Sequence, residues 1–354
     1  MAQALTKSRI KARIDRLLTW YDIAARTMPW RALRGQRPDP YHVWLSEIML
    51  QQTTVATVGP YFQKFLAKWP TVGELASAER DEVLAAWAGL GYYARARNLH
   101  KCAGVVADHG GAFPETEDDL RALPGVGPYT AAAVASIAFN RAVVPVDGNV
   151  ERVVARLQAI EKPMPECKAE LRRLAQQFVD QDRPGDVAQA LMDLGATVCT
   201  PRNPNCAACP LQQDCRGLKK GIADELPRRL AKKARPVRRA VAFWLQRSDG
   251  TVLMRRRPDR GLLGGMLEIP STPWREENWP PQEVTEHLPL KQDWQPRDGG
   301  IGHTFTHFHL EVAVWAADYE GELDGLWIHP GDFDQHAVPT LMRKIASHAL
   351  TKGS

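Results

Sequence analysis

A mostly α-helical N-terminal region followed by an α/β C-terminal domain is the fold class this sequence predicts, on three observations. Apolar residues recur at helical spacing in successive segments between Ile10 and Val198. A glycine hairpin, Leu123-Pro124-Gly125-Val126-Gly127-Pro128, joins two of those segments. Beyond residue 239 the pattern turns to short strand-like runs divided by Asp-Gly and glycine-rich turns. A chain of 354 residues has room for two or three domains with cores of their own. No continuous apolar run reaches membrane length, and the first eleven residues lack the apolar core of a signal peptide, so a soluble intracellular protein is expected. The formal charge of +5 is unevenly spread. Residues 1–240 hold 35 Lys and Arg against 25 Asp and Glu, whereas residues 241–354 hold 11 against 16. The basic part is the better candidate for nucleic acid, although an acidic protein partner fits the charge as well.

Taken in order, Ile10 to Ala25 sets Ile14, Leu17, Leu18 and Tyr21 on one face and reads as an amphipathic helix, broken by Met28-Pro29-Trp30-Arg31. In Tyr41 to Thr53, Trp44, Leu45, Ile48 and Met49 form a buried arc with Glu47 at its edge. A carboxylate there is partly desolvated, which disfavours its charged form and raises its pKa toward the range of a general acid. A solvent-facing glutamate in a first helical turn is the plainer alternative. Gly89-Leu90-Gly91-Tyr92-Tyr93-Ala94-Arg95-Ala96-Arg97 interleaves aromatic and basic residues after a glycine-rich start, which suits base stacking and phosphate contact. A helix with a solvated arginine face is the other reading.

Thr116-Glu117-Asp118-Asp119 has the spacing of a capping box and opens a helix that Pro124 ends. Gly125 and Gly127 permit a tight turn with positive backbone dihedrals, and an Ala-rich helix follows from Tyr129 to Asn140. The unpaired amides at its start make Gly125-Val126-Gly127 a phosphate grip, unless the glycines serve only the turn. Val144-Pro145-Val146-Asp147-Gly148-Asn149 then places one carboxylate just beyond that grip.

From Val150 to Val198 the pattern is helical. Cys199, Cys206, Cys209 and Cys215 follow as C-x6-C-x2-C-x5-C, and four thiolates within seventeen residues require a metal, for which zinc is the generic default. Cys102 and Cys167 stand alone and read as reduced thiols. Gly217 to Arg239 is rich in Lys and Arg, Lys232 and Lys233 among them, and reads as an exposed linker able to lie along phosphates. Ala240 to Leu245, Thr251 to Met254 and Leu310 to Trp315 are strands. The expected divisions are 1–220, a basic linker 221–238, and 239–354.

These blocks resemble the base-excision DNA glycosylases built on a helix-hairpin-helix and a Gly/Pro…Asp signature, and among them the MutY-type adenine DNA glycosylases. The resemblance is carried by Trp44-Leu45-Ser46-Glu47 with Leu50-Gln51-Gln52-Thr53, the Gly89–Leu99 block, the hairpin, Asp147-Gly148-Asn149-Val150 and the cysteine set. Gly261 to Pro270 is similar to a Nudix-type domain. The resemblance implies a [4Fe–4S] cluster on the four cysteines in place of zinc, because the 6-2-5 spacing is the family's own. It implies removal of adenine, flipped out of double-stranded DNA, from mispairs with 8-oxoguanine or guanine. Glu47 would then be the general acid, and Asp147, kept ionised near the hairpin's helix terminus, would stabilise the cationic sugar. Tyr129 and Asn149 would complete the catalytic set. Trp30, Arg31 and Gln189 would line the pocket, while Gln52, Thr53, Leu90 and Tyr92 engage the opposite base. Phe305-Thr306-His307 resembles the family's Phe-Ser-His loop for 8-oxoguanine, with threonine in the place of serine.

The Nudix-like segment departs from its pattern. Pro270, Pro273, Trp274, Pro280 and Pro281 stand where an acidic Mg²⁺-binding helix should follow, so binding is expected there rather than pyrophosphate hydrolysis. An endonuclease III-type lyase is the nearest rival, but Tyr129 occupies the position of its Schiff-base lysine. An inert iron–sulfur DNA-binding protein would need neither Glu47 nor Asp147. A monomer in a bacterial cytoplasm, held to the nucleoid through DNA, is the expected setting.

Overall fold

A computed structural model of the chain describes residues 7–33, 35–230 and 234–351. Lys232 and Lys233 of the basic linker lie outside them. The helices are α1 (Lys7–Ala24), α2 (Pro40–Leu50), α3 (Val55–Lys68), α4 (Val72–Ser77), α5 (Arg80–Ala86), α6 (Ala94–Asp108), α7 (Glu117–Arg121), α8 (Pro128–Phe139), α9 (Gly148–Gln158), α10 (Lys168–Ala175), α11 (Pro184–Thr197) and α12 (Arg216–Lys219). The sheet follows, with β1 (Val237–Gln246), β2 (Val252–Arg256), β3 (Leu267–Glu268), α13 (Pro281–Thr285), β4 (Gln295–Pro296), β5 (Ile301–Thr304), β6 (His309–Asp318), β7 (Leu326–Ile328) and α14 (Thr340–Leu350). None of the described helices is long and apolar enough to cross a membrane.

The chain divides into two compact units. The first runs to Ala76 and resumes at Lys101, through the cysteine segment; the second is Ser77–His100 together with the C-terminal sheet. The grouping of 77–100 with the sheet was not expected, since that segment is helical and precedes the hairpin.

In the first unit α8 is the central helix. Its Ala-rich sequence has almost no polar face, and Thr130 through Ser136 are all buried, so neighbours pack on every side. It lies against α2, α7 and α11. Helix α2 starts at Pro40, with the Asp39 carboxylate accepting from the Tyr41 and His42 amides. Thr116 caps α7 as expected, accepting from the Asp119 amide. The hairpin differs in one respect. Gly125 has φ +75°, but Gly127 has φ −88° and serves as the N-cap of α8, so only the first glycine answers a left-handed requirement. A Cβ at Gly127 would meet nothing within 4 Å, so neither the backbone angle nor packing within the chain requires glycine there.

In the second unit β1 and β6 run parallel through the whole of β1, from Val237 beside His309 to Gln246 beside Asp318. Strand β2 flanks β1 antiparallel and pairs in turn with β3 and β7, while β4 and β5 pair with β6. Alternate residues of β1 enter two different cores, as the period of two requires. Ala240, Ala242 and Trp244 meet Leu310, Val312 and α14 on one face. Val241, Phe243 and Leu245 meet Trp294 and Val284 on the other. No acidic helix follows β3. The Glu268 carboxylate is buried and accepts from Arg255 Nε at 2.7 Å and from Arg257, so two guanidinium groups already neutralise it.

The basic segment after the cysteines is less free than its composition indicates. Lys220 and Arg228 both pair with Glu161, Arg228 also with Glu225, and Met164 bridges to Arg229 in parallel fashion.

Candidate active site and cysteine segment

One cavity of about 1130 Å³ opens in the first unit, lined in part by Trp30, Arg31, Glu47, Gln52, Thr53, Tyr129, Asp147, Asn149 and Gln189. Nine residues chosen from sequence segments more than a hundred residues apart thus share one wall. Helix α2 delivers Glu47 from its last turns, not its first, and the residue is only 6% exposed. One carboxylate oxygen, Oε2, has no hydrogen-bond partner. Burial pushes the Glu47 pKa up to about 7; the Tyr129 hydroxyl bond and the Arg31 charge pull it down, while the nearby Asp147 charge pushes it further up. Burial also lifts the Tyr129 phenol well above its ordinary value, so Tyr129 stays a neutral donor.

Asp147 is the N-cap of α9, and it lies close enough to Tyr129, in the first turn of α8, for its charge to raise the phenol's pKa. Its Oδ1 accepts from the Asn149 and Val150 amides at 2.9 and 2.8 Å, and its Oδ2 from the Asn149 side-chain amide at 2.9 Å. Burial raises the Asp147 pKa above the ordinary carboxylate value; the bonds from Val150 and Asn149 and the Arg152 charge act in the opposite direction. Asn149 is itself held from behind, since its Oδ1 accepts from Arg152 Nη2 at 2.7 Å. Gly195 on α11 makes this approach possible, because a Cβ there would sit 2.6 Å from the Asn149 Cβ.

Two residues missed at the sequence level hold wall residues from behind. Asp193 is fully buried and takes Arg31 through both nitrogens, Nη1 at 2.6 Å and Nη2 at 2.7 Å, together with the Arg26 amide at 3.0 Å. Burial alone would raise its pKa; the Arg31 bonds and charge, with Arg26, hold it below the usual carboxylate range. A lone acid in the apolar run Ala190-Leu191-Met192-Asp193-Leu194 was the available signal. Arg152, three residues after Asn149, was the other.

The hairpin residues Gly125, Val126 and Gly127 stand apart from the cavity wall. The Val126 amide is donated to the Leu123 carbonyl at 3.2 Å and so is already partnered within the turn. In the second unit the Gly89–Arg97 block sorts itself by burial. Leu90 and Tyr93 are buried, and Tyr92, with φ +48°, is exposed. The arginines are committed to protein groups: Arg95 donates to the Leu90 carbonyl at 3.0 Å and lies over the Trp87 and Tyr92 rings, and Arg97 donates to the Gly264 carbonyl. Phe305, Thr306 and His307 form the turn between β5 and β6. Phe305 stacks on Trp274 at 5.5 Å and anchors the turn, while Thr306 and His307 are exposed. The Thr306 hydroxyl lies 2.6 Å from the Tyr92 hydroxyl.

The four cysteines sit on a loop packed over the α1–α9–α11 core, with Cys199, Cys209 and Cys215 against it. Arg156 on α9 is buried and organises the loop, donating to the Thr200 carbonyl at 2.7 Å, the Pro201 carbonyl at 3.2 Å and the Cys199 sulfur at 3.3 Å. Among the described residues no three thiol, imidazole or carboxylate groups are placed to hold a single metal ion. The four thiols are nevertheless close enough that Cys199, Cys206 and Cys215 each raise the Cys209 pKa, which burial above all pushes up to about 12. An all-thiol, partly buried donor set with one guanidinium beside it fits an iron–sulfur cluster, whose iron supplies the positive charge that four thiolates need.

Three family models match successive parts of the chain. Residues 45–181 match the HhH-GPD superfamily of base excision DNA repair proteins, residues 199–215 the iron-sulfur binding domain of endonuclease III, and residues 241–348 the NUDIX domain. The chain is 37% identical to an adenine DNA glycosylase of Homo sapiens, over 93% of this chain and 72% of that protein. It is 31% identical to one of Schizosaccharomyces pombe, over 90% of this chain and 85% of that one. Among solved structures, a thermostable thymine-DNA glycosylase superposes with a TM-score of 0.53 at 30% identity, covering 60% of this chain and 98% of its own. A non-covalent endonuclease III–DNA complex gives 0.51 at 25% identity, covering 62% and 99%.

Proposed function

The chain belongs to the adenine DNA glycosylase family, with a [4Fe–4S] cluster as its cofactor, and on that premise we propose that it hydrolyses the N-glycosidic bond of adenine mispaired with 8-oxoguanine or guanine. The observation that carries the reading is the buried Glu47, with one oxygen unpartnered in the cavity and Asp147 close enough to raise its pKa. Glu47 near neutral pH is substantially protonated and can give its proton to the adenine ring as the C1′–N9 bond breaks and its electron pair leaves with the base. Asp147, which must be ionised for this, faces the sugar cation with its charge and is held by three donors. Water then adds to C1′, and its proton returns to the vacated carboxylate. Tyr129 and Asn149 orient the two acids. Arg31, fixed by Asp193, and Gln189 face the base, with Trp30 as an apolar wall, and Gln52 and Thr53 serve the opposite strand. Cys199, Cys206, Cys209 and Cys215 would hold the cluster, whose role here is to fix the loop, not to take part in the reaction. Thr306 and His307, exposed on the β5–β6 turn, read the lesion with Leu90 and Tyr92.

The test is an assay on duplexes bearing adenine opposite 8-oxoguanine, guanine or thymine, resolved with and without alkali. Strand scission only after alkali, and only for the first two duplexes, is expected. Scission without alkali would return the reading to a lyase.

A further inference from the structure

The Gly261–Met266 loop has no acidic helix behind it, and its contacts show a different use. Arg80 and Asp81, at the start of α5, meet it with opposite charges. Arg80 spans the Asp259 carboxylate, through Nη1 at 3.0 Å and through Nη2. Arg256 reverses the arrangement, donating Nη1 to Asp81 Oδ1 at 3.0 Å and Nη2 to Oδ2 at 2.5 Å. Arg256 Nη1 also reaches the Gly265 carbonyl at 2.9 Å, and Arg97 donates to the Gly264 carbonyl. Gly265 has φ +73°, and a Cβ there would lie 2.3 Å from Arg80 Nη2 and 2.7 Å from Asp259 Oδ1, so a side chain at this position displaces the pair.

We propose that this loop is a socket that positions residues 77–100, so that the segment bearing Leu90 and Tyr92 and the turn bearing Thr306 read the base opposite adenine as one element. Each ion pair is more than a third exposed at every partner and stabilises little alone. Their value is in alignment. The alternative matching of the four charges sets arginine against arginine and aspartate against aspartate, and each bidentate pair also fixes a plane. The backbone acceptors at Gly264 and Gly265 add a fixed reference. The Tyr92–Thr306 hydroxyl contact then follows from the socket, not from any apolar packing of its own, because both side chains are exposed.

The consequence for base reading rests on the function proposed above; the socket rests on these contacts, and two readouts keep them separate. Arg80→Asp, Asp259→Arg and the double charge swap are compared with the parent as holoproteins. Amide hydrogen exchange over residues 87–97 reads the socket, and competitive excision from 8-oxoguanine:adenine against guanine:adenine reads its consequence. Each single variant is expected to exchange faster and to lose preference by about three- to ten-fold, and the swap to restore both. Gly265→Ala, which removes the space instead of the charge, is expected to behave like the single variants. Exchange unchanged in the single variants and in Gly265→Ala, or no recovery in the swap, overturns the socket. A parent that excises adenine equally opposite both bases overturns the lesion reading, and exchange then decides the socket by itself.

Discussion

Arg152 donates from Nη2 to the Asn149 side-chain oxygen at 2.7 Å while its Nε donates to the Cys199 carbonyl at 2.7 Å. Because Asn149 in turn donates to Asp147 Oδ2, one guanidinium ties a carboxylate in the cavity to the first cysteine of the loop. Arg152→Gln is expected to reduce single-turnover excision by about ten- to a hundred-fold, the usual cost of losing a group that orients another. Normal excision by a variant with full iron content would show that Asn149 needs no such support.

In the proposed reaction Glu47 acts in its protonated form, so its pKa of about 7 should set the upper limb of the pH profile. The sign follows directly. Below that value the proton is present; above it the excision rate should fall about ten-fold per pH unit. The Asp147 pKa is also raised, and Asp147 must be ionised, so a second fall is expected on the acid side. Glu47→Gln should bind the mispair, excise about a thousand times more slowly, and show no limb near pH 7. A flat profile in the parent would remove Glu47 from the proton transfer.

Asp147 caps α9, and the proposed reaction gives its charge a second, separable role. Asn at this position keeps a good N-cap, whereas Ala forfeits about 1 kcal/mol of stability. Asp147→Asn should therefore unfold like the parent and still lose excision about a hundred-fold or more, while Asp147→Ala loses both. Thermal melting beside single-turnover rates separates the two, and equal melting of the two variants contradicts the capping role.

The purified protein should absorb broadly near about 400 nm and carry iron and sulfide in place of zinc. Arg156→Leu, which removes the donors to Thr200, Pro201 and Cys199, should lose that absorbance faster on incubation with a chelator. A colourless, fully active protein with one zinc per chain would refute the cluster.

Thr306→Ala with His307→Ala should weaken the preference for 8-oxoguanine:adenine over guanine:adenine by about 1–3 kcal/mol, the worth of one or two hydrogen bonds. Excision from saturated enzyme should change far less, since Glu47 and Asp147 belong to the other unit. Full discrimination by the double variant at matched salt would place lesion reading elsewhere.

Much of this molecule was determined locally and could be read from the chain. The cap at Thr116, the Ala-rich α8, the strands on either side of residue 250 and the cysteine spacing each depend on neighbours within a few turns of sequence, where propensity and periodicity act. Glu47 and Asp147 were legible for a related reason: one stood out at the edge of an apolar arc and the other after a turn. Tertiary structure decided what each charge is for. Asp193 became the partner of Arg31 only because two distant segments meet in a dry wall, where burial would otherwise neutralise the acid. Arg95 and Arg97 look like phosphate ligands in sequence, and the fold gives each a carbonyl partner that no pattern announced. The grouping of residues 77–100 with the sheet has no sequence signal at all, because an ion pair between residues 80 and 259 leaves no periodicity in either segment. A sequence shows where a charge is; only the folded chain, by removing water from some charges and leaving it on others, settles which partner it keeps.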